Sequence, residues 1–410
     1  LEVPTDQCKS LANCINGFTA FHHAGLPYKQ RKLIENAFRE GLIKIVVATP
    51  TLIAGVNLPA RLVLIKGLKR FEENRRVWWP ISLYKQASGR AGRIKYDKFG
   101  YSIVEVFSEN EAKIVFDEYI NGKPEDVVSR LSYEPALRAQ ILSLIANNFC
   151  NSLDQLKNFL QKTYFYYTYK DFEEIESLIF KIINNLEKWK FIKNFKATKV
   201  GKRVNELYID PLTAYIFIKS FNNLNKKLNE IAFLQLICSS TEIRPLISLK
   251  EKDFYELSIY EKYIVFESYD FEETYKSLKT ALALSYWINE HNENDIMKKF
   301  GLYPGELFAR VEVAKWLSYS LGELAKLFKE SELFKFSKIM ELRLTFGIKE
   351  ELKELVLIRG IGRKRARNLY NAGFKTIEDL RKASIQSLER VSGIGKELAQ
   401  KIKNEVEKIL

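Results

Sequence analysis

Three apolar, β-branched runs in the first third of the chain predict buried parallel strands. They are GLIKIVVAT (41–49), RLVLIKGL (61–68) and YSIVEVF (101–107). Runs without polar alternation are typical of strands that are covered on both faces. Helical segments separate them, including residues 27–40 with Pro27 near the start. The pattern therefore predicts an α/β region over residues 1–125.

From Glu134 onward the strand pattern stops and helical periodicity takes over. Amphipathic helices are predicted over 135–148, 153–163 and 172–190, followed by a short apolar/polar alternation over 191–198. Three helices and a small β element are the order of a winged helix, which often binds nucleic acid. We predict this domain over 126–210, and a winged helix that serves only as a packing spacer stays open.

Residues 211–345 are predicted to be mostly helical, and the segment 306–328 carries a core-facing stripe. The stripe comprises Leu307, Val311, Ala314, Leu317, Leu321, Leu324 and Phe328. Trp316 falls on the opposite, polar face at 100° per residue. A tryptophan there suits either stacking on a nucleic-acid base or packing against another domain.

The last region, 346–410, contains a repeated turn. GIGRKRA (360–366) recurs as GIGKELA (393–399) at an offset of 33 residues. Glycines at 360, 362, 393 and 395 let backbone N–H groups and helix dipoles approach a phosphate. The basic side chains beside the turns are Arg359, Arg363, Lys364, Arg365, Arg367 and Lys396. We predict a double helix-hairpin-helix that binds a nucleic-acid backbone; a helical hairpin with a solvated basic face is the alternative.

Charge supports a polyanionic partner. The chain carries 65 Lys and Arg against 51 Asp and Glu, a formal net charge of +14. A chain this basic most often meets nucleic acid, although a lysine-rich surface can serve solubility alone. The four cysteines form no CxxC pair, and no apolar run reaches the ~20 residues of a membrane span. We expect a reduced, intracellular, metal-free chain.

Three short blocks at residues 18–93 carry the candidate chemistry. They are FTAFHHAGL (18–26), KIVVATPTLIAGVNLPAR (44–61) and YKQASGRAGR (84–93). The second places small and hydroxylated residues just beyond a strand, where α/β proteins bind ligands. These residues are Thr49, Thr51, Gly55 and Asn57.

The third block places two arginines in a glycine-spaced loop. Gly89 and Gly92 clear space beside Arg90 and Arg93, and guanidinium suits bidentate phosphate contact. An arginine that reaches a γ-phosphate across a cleft contributes about 10³–10⁵ in rate. One such loop would be weak support for a nucleotide site, but the occurrence of all three blocks in this order is a specific signal.

These blocks resemble motifs IV, V and VI of superfamily 2 helicases of the superkiller-like branch. The order of domains is similar, over essentially the whole chain, to the archaeal Hjm-type repair helicases. The resemblance implies that Gln86, Arg90 and Arg93 contact ATP. It also implies that the Thr51, Gly55 and Asn57 segment touches DNA and couples it to the nucleotide. His22 and His23 lie in the motif IV region, where packing at a strand end is the alternative.

Two further elements gain a role from the resemblance. LKRFEENRRVWWPI (68–81) predicts a β-hairpin with a Glu-Glu-Asn tip. The family uses a hairpin here to split the duplex, which implies DNA contacts for Lys69, Arg70, Phe71, Arg75 and Arg76; an ordinary solvated hairpin is the alternative. The family also has a ratchet helix, which implies base stacking by Trp316 and a neighbouring contact by Arg310.

The sequence departs from the family in one large respect. A Walker A pattern is absent, since the three Gly-Lys pairs at 122, 201 and 395 precede Pro, Arg and Glu. The Asp117-Glu118 pair lies in an amphipathic stretch rather than after an apolar strand. We therefore expect a fragment whose first RecA-like lobe lies upstream and which does not hydrolyse ATP alone.

The fold expected is a partial α/β RecA-like lobe followed by α-rich domains. The function expected is the C-terminal part of an ATP-dependent 3′–5′ DNA helicase acting on forked DNA, with ATP and Mg²⁺ bound only in the intact enzyme. Expected partners are single-stranded and forked DNA and replication or repair proteins; a cytoplasmic, nucleoid-associated monomer is expected. Two alternatives stay open: a non-catalytic fork-binding module and an RNA helicase of the same branch.

Overall fold

A computed structural model describes residues 6–53, 58, 60–72, 75–92, 97–168 and 172–407 of the chain. These residues form two compact units. The first unit comprises Leu1–Val128 together with Pro304–Glu306, and the second comprises Ser129–Tyr303 together with Leu307–Leu410.

The first unit is the α/β part of the chain. Its strands are Thr19–His22, Ile45–Ala48, Leu62–Ile65, Lys69–Glu72, Arg75–Trp78 and Tyr101–Val104. Its helices are Asp6–Asn16, Tyr28–Arg39, Ile81–Ser88 and Glu109–Ile114, with a 3₁₀ turn at Pro50–Leu52 and a π-helical turn at Val115–Ile120. Pro27 is the N-cap of the helix Tyr28–Arg39, as its fixed φ suggests.

The predicted parallel pairing of the apolar strands is confirmed. Thr19–His22 pairs in parallel with Ile45–Ala48, and Leu62–Ile65 pairs in parallel with Tyr101–Val104. The prediction that these strands are buried on both faces is wrong for the described residues, because Val47 is 69% exposed and Leu64 is 63% exposed. Each described sheet has only two strands, so the small cores beneath them bury one set of side chains and leave the other outside.

The second unit is helical apart from one short hairpin. Its helices before residue 348 are Glu134–Ala146, Leu153–Leu160, Tyr164–Thr168, Phe172–Lys188, Lys199–Glu206, Pro211–Lys226, Glu230–Cys238, Glu251–Ser258, Phe271–Ile288, Glu293–Phe300, Pro304–Leu327 and Ser331–Phe346. The helix Pro304–Leu327 begins with the three residues that are grouped with the first unit. Short 3₁₀ turns lie at Arg130–Ser132 and Glu261–Tyr263, and the hairpin strands are Ile192–Lys193 and Lys196–Ala197.

The element order predicted for residues 126–198 is present: three main helices and an antiparallel two-stranded hairpin. A single hydrophobic core runs from Leu137 to Leu344, so this region shares its core with the helices that follow. At the end of the predicted domain, Arg138 makes a bidentate contact with Asp210: its Nε and Nη2 each lie 2.7 Å from a carboxylate oxygen. The boundary at residues 210 and 211 stays a prediction.

The stripe predicted for the helix Pro304–Leu327 is confirmed for six of its seven positions. From Leu307 to Leu324 every stripe residue is at most 3% exposed. Phe328 follows the last residue of the helix and is 42% exposed, with its ring edge-on to Phe221. A 3.6-residue period identifies a buried face only while the backbone remains helical.

Residues 348–406 form a core of their own. Two 3₁₀ turns, Glu350–Leu352 and Leu355–Leu357, precede the helices Arg363–Asn371, Ile377–Lys382, Ile385–Glu389 and Lys396–Val406. Ile361 and Ile394, the central residues of the two GIG turns, are 2% and 3% exposed. The repeated turns therefore pair two hairpins around one apolar centre.

None of the four cysteines, all of which the structure describes, forms a disulfide, and Cys150 and Cys238 are buried. Among the described helices, none is long and apolar enough to span a bilayer.

Candidate nucleotide and nucleic-acid interface

The loop that carries Arg90 is joined to the segment that follows the strand Ile45–Ala48. A parallel bridge links Ala60 and Ala91: the Ala60 N–H donates to Arg90 O at 2.9 Å, and the Gly92 N–H donates to Ala60 O at 2.7 Å. The Arg90 side chain adds a third contact, since Nη2 lies 2.6 Å from Ile53 O. The structure thus brings the second and third sequence blocks together, as ligand-binding loops at a sheet edge require.

Two glycines allow this loop to turn beside the next strand. Gly92 has φ +95°, a backbone conformation that residues other than glycine rarely adopt. A Cβ on Gly100 would lie 2.1 Å from Gly92 N, so the two backbones meet without room for a side chain. Gly92 belongs to the recognised block, whereas sequence reasoning missed Gly100 because its partner lies eight residues away across a loop.

Several predicted contacts in these blocks fall outside the described residues. They are Gly55, Asn57 and Arg93, together with the side chain of Thr51. Thr49 and Gln86 are described, and both are exposed. Their exposure leaves these two side chains accessible to a ligand, and the roles given to all six residues stay predictions.

A distant carboxylate caps the helix Ile81–Ser88, which presents Gln86. The Ile81 and Ser82 N–H groups both donate to Glu125, with Ser82 N at 2.9 Å from Oε2. The Ser82 N–H is the main cause that lowers the pKa of Glu125 to about 2. Because Pro80 supplies no side-chain cap, Glu125 satisfies the first backbone donors of this helix.

The predicted β-hairpin is present. Lys69–Glu72 pairs antiparallel with Arg75–Trp78, and the register places Lys69 opposite Trp78. Lys69 Nζ lies 4.4 Å from the Trp78 ring centroid and 3.3 Å from Glu111 Oε1. The Lys69 ammonium therefore has partners within its own unit.

The remaining hairpin candidates are less fully described. Arg70 is half-buried on the first strand. The side chains of Phe71, Arg75 and Arg76, and the tip at residues 73 and 74, lie outside the described residues. Duplex contact by these residues stays a prediction.

Both histidines of the first block have packing roles. His22 is 3% exposed and its Nε2 lies 3.4 Å from Glu35 Oε1, while burial lowers its pKa. The His23 ring stacks on Phe21, and its Nδ1 accepts the Gly25 N–H at 3.1 Å. These contacts favour the packing alternative at this strand end.

Trp316 is half-buried against the main helical core. Its indole N–H donates to Leu207 O at 3.0 Å, which gives the packing alternative a specific contact. Arg310 lies on the same helix, and its Nη2 donates to Pro245 O at 2.7 Å. Base stacking by Trp316 and DNA contact by Arg310 stay predictions.

The two GIG turns have the geometry that the repeat predicts. Gly360 has φ +88° and Gly393 has φ +84°, the left-handed region that favours glycine. Gly362 and Gly395 are the N-caps of the helices Arg363–Asn371 and Lys396–Val406, and neither cap has a side-chain partner. All four glycines are exposed, so the N-terminal donors of two helices lie beside accessible turns.

Two of the predicted DNA-binding arginines contact helical segments outside the tandem. Arg367 makes two bonds to the Glu290 carboxylate, at 2.8 and 2.7 Å, and a third to Glu351 at 2.8 Å. The Glu290 carboxyl is partly buried, which opposes ionisation, but the bonds from Arg367 and the Lys349 N–H outweigh burial and lower its pKa. This ion pair attaches the tandem to the preceding helices.

Arg363 makes a second attachment beside the first. Its guanidinium lies 5.1 Å from the Trp287 ring centroid, and its Nη2 donates to His291 O at 2.6 Å. Burial lowers the pKa of Arg363. Lys364 and Lys396 differ from both attached arginines, because they are exposed at the start of the two hairpin helices.

Sequence reasoning missed the partners of these arginines. Glu290 is 77 positions from Arg367 in the sequence, and Trp287 is 76 positions from Arg363. No period or motif connects them. An unusual feature of Glu290 is its backbone: φ is +67°, a conformation that its residue type does not predict.

Three family models match the chain in the order of its predicted regions. A "Helicase conserved C-terminal domain" matches residues 5–95, an "Archaeal helicase, domain 4" matches 231–347 and a "SAM-like Helix-hairpin-helix tandem" matches 352–408. The matched domains therefore place the chain in the class of archaeal helicase-type proteins, with a helicase C-terminal domain followed by α-rich domains.

Similarity to curated proteins identifies the family. The chain is 39% identical to the ATP-dependent DNA helicase Hel308 of Pyrococcus abyssi and 40% identical to that of Pyrococcus horikoshii, over 98% of this chain and 57% of each relative. Identity to the Methanococcus vannielii Hel308 is 35% over 99% of this chain and 60% of that protein. This chain belongs to the Hel308 family of archaeal helicases, and it spans about 57% of the length of the two Pyrococcus relatives. The predicted family and fold class are confirmed.

Proposed function

We propose that this chain is the C-terminal part of an ATP-dependent 3′–5′ DNA helicase that unwinds forked and branched DNA in replication-fork repair. Its relatives are named ATP-dependent DNA helicases, which supports the reaction class. The observation that carries the proposal is the bridge between Ala60 and Ala91. It joins the candidate nucleotide loop to the candidate DNA-coupling segment, so that a change at one is transmitted to the other.

The nucleotide is contacted by Gln86, Arg90 and Arg93, with Gly55 and Asn57 on the coupling segment. Guanidinium and amide donors beside glycines match the oxygens of a triphosphate. A Walker A loop is absent from the sequence, so we propose that this chain alone does not hydrolyse ATP. Among the described residues, no group of three or more His, Cys, Asp or Glu side chains could hold a metal ion.

DNA is contacted at four places along the chain. The proposed residues are Thr49 and Thr51; Lys69, Arg70, Phe71, Arg75 and Arg76 of the hairpin; Arg310 and Trp316; and Gly360, Gly362, Arg363, Lys364, Arg365, Arg367, Gly393, Gly395 and Lys396. In the intact enzyme, ATP-driven closure would advance the coupling segment and the helix Pro304–Leu327 along one strand. The hairpin would part the other strand, and the tandem would hold the backbone.

The proposed domain limits follow the same division. They are residues 1–125 for part of a second RecA-like lobe, 126–210 for a winged helix, 211–345 for a ratchet domain and 346–410 for the double helix-hairpin-helix. The three family models support three of these regions in this order. We further propose an intracellular, nucleoid-associated monomer that meets other replication or repair proteins at forks.

Unwinding by the full-length parent protein tests the proposal. The substrates are a fork whose single-stranded tail has a free 3′ end, its 5′ counterpart, and an RNA fork of the same sequence. We expect ATP-dependent strand separation that is fastest on the 3′-tailed DNA fork. Tighter binding and faster unwinding of the RNA fork would identify an RNA helicase, and fork binding without ATP hydrolysis would identify a non-catalytic module.

A further inference from the structure

The two GIG turns contact each other through the same position of the repeat. Arg365 is the sixth residue of the first copy and Leu398 is the sixth residue of the second. Arg365 Nε donates to Gly393 O at 2.9 Å, and its Nη1 donates to Gly360 O at 2.9 Å. One guanidinium therefore bonds to the first glycine of both turns.

Leu398 makes the reciprocal contact. A Cβ built on Gly360 would lie 3.2 Å from Leu398 Cδ1, and a Cβ built on Gly393 would lie 3.7 Å from Arg365 Cγ. Each sixth residue thus packs over the first glycine of the other copy. Asn368 adds a bond from the first hairpin helix, since its Nδ2 donates to Ser392 O at 2.9 Å.

We propose that Arg365 is a positioning residue that fixes the spacing of the two turns, so that they bind two phosphates of one DNA molecule together. The proposal rests on the proposed DNA-binding role of the tandem. A guanidinium has a planar fork of donors that can hold two carbonyl oxygens in fixed directions, whereas a lysine ammonium is a flexible point charge. Two weak contacts held at a fixed spacing bind far more tightly than either alone.

The neighbouring basic residues distinguish this role from simple charge. Lys364 is exposed beside Arg365 and carries the same charge. Arg363 and Arg367 face other helices. Arg365 bonds to the first glycine of both turns.

The first test uses the free protein and no DNA. The full chain labelled with ¹⁵N-glycine gives signals from 19 glycines, among them Gly360 and Gly393. We expect both signals to shift in Arg365→Ala and in Arg365→Lys, and to keep their positions in Lys364→Ala. Native positions for both signals in Arg365→Ala would overturn the proposed clamp.

The second test measures affinity for a fluorescent DNA fork at several salt concentrations. Arg365→Ala and Arg365→Lys should both weaken binding roughly tenfold or more, because the two turns no longer act together. Lys364→Ala should instead reduce the salt slope by about one, as loss of a single phosphate contact does. Native affinity in Arg365→Lys would show that only the charge matters and would overturn the positioning role.

A third variant separates the effect of the spacing between the two turns from the effect of charge. Leu398→Ala removes the reciprocal contact without changing any charge, and we expect weaker fork binding with an unchanged salt slope. Its melting temperature is the control for folding of the tandem. If Lys364→Ala combined with Lys396→Ala left DNA affinity unchanged, the proposed function of the tandem would fail, while the glycine signals would still decide whether the clamp exists.

Discussion

Two arginine-rich segments of this chain look alike in sequence but use their arginines differently. In the loop QASGRAGR, Arg90 bonds to the backbone of its own unit at Ile53 and so shapes the loop. In the tandem, Arg367 bonds to the Glu290 carboxylate on a distant helical segment and so attaches a whole domain. A guanidinium can donate to carbonyl, carboxylate and phosphate oxygens, so residue type alone does not identify the partner.

The comparison teaches that a basic motif contains supporting residues as well as ligand-binding ones. The supporting residues are those whose donors already have partners in the protein, such as Arg363 and Arg367. Exposed basic residues such as Lys396 stay candidates for ligand binding.

Arg93→Ala in the full-length protein should abolish ATP hydrolysis while DNA affinity stays nearly native. Loss of an arginine that stabilises the transferring phosphoryl group lowers turnover by about 10³–10⁵. Steady-state ATPase rates with fork DNA measure the effect. Lys98→Ala, which removes an exposed charge five positions further along the chain, is the matched control. Unchanged turnover in Arg93→Ala would remove this residue from the ATP site.

Arg367→Ala should destabilise the second unit by about 1–3 kcal/mol, because it leaves the partly buried Glu290 carboxylate without its main partner. Urea unfolding measures the free-energy change. The control is Arg359→Ala, which removes an exposed arginine of the same segment and should change stability by less than about 0.5 kcal/mol. Equal stability of the two variants would contradict the attachment role of Arg367.

Trp316→Ala should slow unwinding more than it lowers stability, since base stacking contributes about 1–3 kcal/mol per base. Trp316→Phe keeps an aromatic face but loses the bond to Leu207 O, so it should retain most unwinding at a stability cost of about 0.5–1.5 kcal/mol. Unwinding rates and melting temperatures are measured together. If Trp316→Ala greatly lowered the melting temperature but left the unwinding rate of each folded molecule unchanged, Trp316 would have a packing role instead.

The smallest effect concerns the cap of the helix Ile81–Ser88. Glu125 has a pKa of about 2 in the folded chain against an ordinary 4.5, so its stabilising contribution is present above pH 4.5 and is lost as pH falls toward 2. Glu125→Gln should therefore flatten the pH dependence of stability in this window. Unfolding midpoints between pH 5 and pH 2 measure this, and identical curves for the two proteins would disprove the cap.

Much of the fold followed from local patterns. The β-branched runs predicted parallel pairs, the seven-position stripe predicted the buried face of a long helix, and the GIG repeat predicted two glycine turns with positive φ. Each of these depends on residues close in sequence, where backbone geometry and side-chain period leave few choices. The motif blocks also predicted the family.

Other features depended on contacts between distant positions. Apolar residues on one face of these strands are exposed. A strand's own residues do not show whether another layer of structure covers that face. The Trp316 indole donates to a carbonyl oxygen 109 positions away, and His22 contacts Glu35 on a neighbouring helix. A side chain's neighbours across the fold decide whether its donors are available to a ligand.

The sequence by itself determined the family, the order of the regions and the backbone turns, because each rests on short strings with specific local chemistry. Only the tertiary structure decided which arginines hold the protein together, because Glu290 reaches Arg367 and Gly393 reaches Arg365 only after the chain folds. Hydrogen-bond donors are satisfied by whatever acceptor the fold places within about 3 Å. That proximity is a property of the packed chain rather than of any motif.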